Sequence, residues 1–68
     1  MELSVVEVLE KKGALNDVDL LKELRANFGE LSFREMNTTL MKMELAGIVW
    51  VTRLMKGKRQ VELTKRGQ

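Results

Sequence analysis

The apolar positions along this chain change period near residue 47, and that change divides the sequence into a helical part and a strand part. Upstream, apolar residues recur every three or four positions; downstream, they form a β-branched run and then alternate. In the first segment Val5, Val6, Val8 and Leu9 share one broad helical arc, with Glu7, Glu10 and Lys11 opposite. The adjacent pairs Val5-Val6 and Val8-Leu9 rule out the strict alternation of a strand. In the second, Leu20, Leu21, Leu24 and Phe28 span an arc of about 100° while Lys22, Glu23 and Arg25 point away. The third, Ser32 to Gly47, puts Phe33, Met36, Leu40 and Met43 on one side and Arg34, Thr38, Met41 and Leu45 on the other. It therefore has a core face and a presenting face.

Helix starts recur as one six-position pattern: LSVVEV from Leu3, LNDVDL from Leu15 and LSFREM from Leu31. Each reads apolar residue, cap, two variable positions, acid, apolar residue. In the first and third, Ser4 with Glu7 and Ser32 with Glu35 are expected to form capping boxes, with staples from Leu3 to Val8 and from Leu31 to Met36. Asp19 is too short to close the second box as well as Glu would. Gly13, the Asn27-Phe28-Gly29-Glu30 turn and Gly47 supply the stops. Helices are expected over about 4–12, 17–27 and 33–46, and the short link between the last two predicts an angled helix-turn-helix pair.

Beyond Gly47, Ile48 to Met55 is apolar and β-branched, Lys56-Gly57-Lys58 supplies a turn, and Gln60 to Thr64 alternates. These features predict a hairpin over about 48–64 with a basic tip. Ala14 and Leu15 could add a short third strand. The expected fold is α+β, a winged helix-turn-helix of three helices plus a C-terminal hairpin wing, in one domain spanning 1–68.

Composition narrows the chemistry. The 68 residues contain no Cys, His or Tyr, and Asp occurs only at positions 17 and 19. Disulfides, thiolates, imidazole bases and the usual zinc sites are thereby excluded, so no catalytic residue, metal or cofactor is expected. No apolar run approaches the roughly 20 residues that span a bilayer, and no basic region precedes an apolar one at the N-terminus. A soluble, cytoplasmic protein without a membrane partner or a small-molecule effector is expected. The net charge of +2 conceals an asymmetry. Residues 1–35 carry five Lys/Arg against eight Asp/Glu, and residues 36–68 carry seven against two. Basic potential gathered in one half suggests an oriented contact with a polyanion.

Two stretches carry a family resemblance: Met43-Glu44-Leu45-Ala46-Gly47-Ile48-Val49 and Leu63-Thr64-Lys65-Arg66-Gly67. They resemble the MarR and PadR groups of winged-helix transcription regulators, in which the recognition helix ends in a Leu-Glu-x-x-Gly-Leu-Ile type sequence and the wing closes with Leu-Thr-x-x-Gly. About half the chain is covered directly. The sequence departs from those groups in stopping right after the wing, without the helices they use for dimerisation and effector binding. It also lacks the aromatic residue often found before Leu-Thr in the PadR group.

The resemblance implies double-stranded DNA as partner, with the third helix in the major groove and the wing tip beside the backbone or minor groove. By position, Arg34, Asn37, Thr38, Met41 and Lys42 would face the groove, and Arg53, Lys56, Lys58 and Arg59 would line the wing. Asn and Thr can read base edges, and a Met can contact a thymine methyl. A second reading comes from surplus apolar residues. Met41 and Leu45 lie away from the helix core face, and on the first wing strand either Ile48 and Trp50 or Val49 and Val51 must face outward. A patch built from Met41, Leu45, Val49, Trp50 and Val51 would dock a second copy or another protein, making the chain an interaction module.

Overall fold

The computed structural model describes residues 2–64. Three helices, α1 (Glu2–Lys12), α2 (Asp17–Phe28) and α3 (Phe33–Leu45), pack against a three-stranded sheet made of β1 (Leu15–Asn16), β2 (Val49–Arg53) and β3 (Arg59–Leu63). All pairings are antiparallel and the strand order is β1-β3-β2, so the last strand lies in the middle. This is the winged-helix architecture. The third strand is Leu15–Asn16, one residue later than Ala14-Leu15, with Leu15 opposite Val61.

The core forms where the three helical faces meet one face of the sheet. Val5, Val8 and Leu9 of α1, Leu20, Leu21 and Leu24 of α2, Met36, Leu40 and Met43 of α3, and Val49 and Val61 of the sheet are all buried, together with Leu31 from the turn. Each such side chain contributes roughly 1.5–3 kcal/mol by leaving water. Val51 and Leu63 pack against this cluster, whereas Trp50 is 63% exposed. The pleat is thus resolved: Val49, Val51, Val61 and Leu63 face inward and Trp50 faces solvent.

Four expectations need correction. α1 begins at Glu2, so Ser4 lies inside the helix and cannot take the extended backbone that an N-cap requires. Leu3 is accordingly 71% exposed and does not staple. Phe28 and Phe33 are half-exposed rather than core, because each lies at a helix terminus where the chain turns between α2 and α3. Val49 is buried and Val51 half-buried, which removes them from any free docking patch and leaves Trp50 as the outward residue of the strand.

Candidate nucleic-acid interface

Local chemistry fixes both ends of α3. At its start the Ser32 hydroxyl accepts from the Glu35 amide at 3.1 Å while the Glu35 carboxylate accepts from the Ser32 amide at 3.4 Å, closing the capping box. At its end the Ile48 amide donates to the Met43 carbonyl at 2.9 Å and the Gly47 amide to the Glu44 carbonyl at 3.0 Å. That pair of bonds is a Schellman motif, and it requires the positive φ of 78° that Gly47 adopts. With Met36, Leu40 and Met43 buried, the opposite face is committed to solvent.

On that face Arg34, Thr38, Met41, Lys42 and Leu45 are all exposed. Thr38 donates its hydroxyl hydrogen to the Arg34 carbonyl at 3.0 Å, so the oxygen keeps acceptor capacity toward a ligand. Met41 and Leu45 are 62% and 84% exposed, an apolar strip running along a face that carries only two cations. Asn37 differs from these neighbours. It is half-buried, and its side-chain oxygen accepts a hydrogen bond from the Arg59 guanidinium. An Asn that reads adenine uses its amide oxygen and nitrogen together, and here the oxygen already has a protein donor.

The wing is a hairpin in register from Val49 opposite Leu63 to Arg53 opposite Arg59. Its tip is closed by the Leu54 amide donating to the Lys58 carbonyl at 2.7 Å, around a tight turn from Met55 to Gly57. Lys56 and Gly57 both take positive φ there, 62° and 74°. Arg53, Lys56 and Lys58 are exposed, as expected of a basic tip. Two apolar residues share it: Leu54 is 41% and Met55 85% exposed. The base of the wing is clamped by Thr64, whose hydroxyl donates to the Gly47 carbonyl at 2.6 Å and lies 3.2 Å from that of Ile48. This gives the Leu63-Thr64 signature a physical role, since the end of β3 is tied to the turn that leaves α3. Lys65, Arg66 and Gly67 lie outside the described residues.

Arg59 stands apart from the other wing cations. Its side chain is only 34% exposed and its Nε lies 3.7 Å from Oδ2 of Asp17, the first residue of α2. Asp17 is itself buried, and its Oδ1 accepts from the Val18 amide at 2.9 Å. One guanidinium therefore joins the start of α2, the middle of α3 and the first residue of β3. The junction ties the wing to α3 through Asn37, the residue between Met36 of the core face and the exposed Thr38. Asp17 escaped sequence reasoning because an acid in the first turn of a helix is already explained by the helix dipole. No signal in the sequence pointed to the pairing, because the opposition of Arg53 and Arg59 that calls for a counter-charge appears only once the hairpin register is known.

No family model matches the sequence, and no curated protein matches it. Solved structures do. The chain superposes on a chain of the hsRosR-S1 complex with a TM-score of 0.89 at 22% identity, covering 97% of this chain and 59% of that one. A chain of the hsRosR-S4 complex matches equally well, with a TM-score of 0.89 at 22% identity, covering 97% of this chain and 57% of that one. The likeness establishes the winged-helix fold over nearly the whole chain, and the chain spans less than two thirds of either neighbour. Among the described residues no helix is long and apolar enough to cross a membrane.

Proposed function

We propose that the chain binds double-stranded DNA as the recognition module of a transcription regulator of the MarR/PadR type, with α3 in the major groove and the wing over the adjacent backbone. The observation that carries this reading is the Arg59–Asn37 contact, which ties a cationic hairpin to a helix with an exposed polar face. A helix and a hairpin tied in this way can engage one duplex together. Arg34 and Lys42 on the helix and Arg53, Lys56 and Lys58 on the wing supply phosphate contacts, while Thr38 and Met41 face the base edges. Asn37 and Arg59 belong to the frame of the site.

Titrating a duplex into ¹⁵N-labelled protein at about 50 mM salt, the low end of the useful range, tests this. Amide shifts should concentrate on residues 34–42 and 53–58 and spare α1. Shifts confined to α1, or none, would overturn the proposal.

A second reading rests on the exposure of Met41, Leu45 and Trp50, which suits a homodimer or another protein partner. A second copy would also carry two recognition helices to successive groove faces. Solution mass decides it: a wild-type monomer, or a dimer that survives both Met41→Glu and Leu45→Glu, would refute self-association through this face.

A further inference from the structure

We infer that Arg59 is a positioning residue: the buried Asp17 carboxylate and the Asn37 side-chain oxygen hold its guanidinium so that it sets the wing against α3 instead of neutralising a DNA phosphate. Its consequence for binding rests on the DNA reading above, whereas its geometry does not.

Three observations converge on it. Asp17 is the one polar residue in the buried set among the described residues, and its Oδ2 is directed at Arg59. Only the carboxylate side of this pair is buried, and its attraction for the guanidinium is screened less than that of an exposed acid. Secondly, Arg59 is in register with Arg53, and like charges directly opposite one another repel. Asp17 offsets the cation nearer the core, which leaves Arg53 exposed and available. Thirdly, Asn37 presents its oxygen, which a guanidinium with five donors and no acceptor demands. Lys could supply the charge without the planar group that bonds Asn37 at one nitrogen while another faces Asp17.

Phosphate contacts position a protein on the duplex, so a wing that shifts against α3 loses contacts it does not itself carry. A double-mutant cycle on duplex binding separates the two roles. With Arg59 present, Asp17→Asn should weaken binding about tenfold, in the range of residues that act through a shared element. In an Arg59→Ala background the same change should weaken it no further. Arg59→Ala alone should lower affinity without changing the salt slope, whereas loss of a phosphate ligand would take about 0.9 from it. Arg59→Lys should behave like Arg59→Ala. The inference is overturned if Asp17→Asn tightens binding when Arg59 is present, if it acts equally in both backgrounds, or if Arg59→Lys retains full affinity.

Amide exchange without DNA tests the geometry independently and includes the milder Asn37→Ala. Exchange at Leu54 and along β2 should quicken in Asn37→Ala and Arg59→Lys while α1 stays protected. Unchanged exchange in both would refute the positioning role whatever DNA does. Failure of the wild-type chain to bind duplex would refute the DNA reading and leave the exchange result standing.

Discussion

The third helix and the wing are joined through Asn37 and Arg59, yet they are held in place in different ways. α3 is specified from within: Ser32 and Glu35 close its start, Gly47 and Ile48 close its end, and a single arc of Met36, Leu40 and Met43 anchors it. The wing is specified from a distance. Val49 and Val61 anchor its strands in the core and β3 also pairs with β1, and its remaining ties are Thr64 reaching back to Gly47 and Arg59 reaching across to Asp17 and Asn37. Charge is divided the other way, since α3 presents two cations and the wing tip three.

The largest expected effect comes from breaking the helix side of this comparison. Met36→Ala opens a cavity in the fully buried centre of the core and should cost about 3 kcal/mol in urea unfolding. In a chain this short that is a large part of the total stability. Gly47→Ala attacks the joint shared by both halves. A side chain at positive φ should cost about 1–2 kcal/mol, with faster amide exchange at Ile48, whose amide closes the Schellman motif. Thr64→Val strikes the wing alone. Losing the hydroxyl bond to Gly47 should cost about 1 kcal/mol and release the base of the hairpin before α3 frays. Smallest in stability terms is Lys58→Ala, an exposed change expected to shift unfolding by less than about 0.5 kcal/mol. Its signature lies in DNA binding, where the salt slope should fall by about 0.9. Adding Arg59→Ala should take nothing more from that slope.

The same division explains how far the sequence could be read. Features governed by neighbours within four residues were legible: the Ser32 box, the Asn16 cap that accepts from the Asp19 amide at 2.8 Å, and the Gly47 stop. The same pattern misled at Ser4, since a capping hydroxyl acts only where the backbone is extended, and α1 is already helical there. Periodicity found the buried arcs but overran at Phe28 and Phe33, where the arc continues in sequence after the helix has ended or before it is covered. The face of β2 could not be read until its register was known. Once Val51 is opposite Val61, Trp50 must point outward. The Asp17–Arg59–Asn37 junction was illegible for a related reason. Each residue had a sufficient local explanation, as a helix-dipole acid, a wing cation and a groove-facing amide, and only the tertiary fold shows them to be partners.

Affinity for a duplex measured as a function of salt tests the central claim most directly. With three exposed cations on the wing tip and Arg34 and Lys42 on α3, five phosphate contacts predict a slope of log K against log salt of about −4.5. A slope near zero, or no binding at about 50 mM salt, would contradict the account.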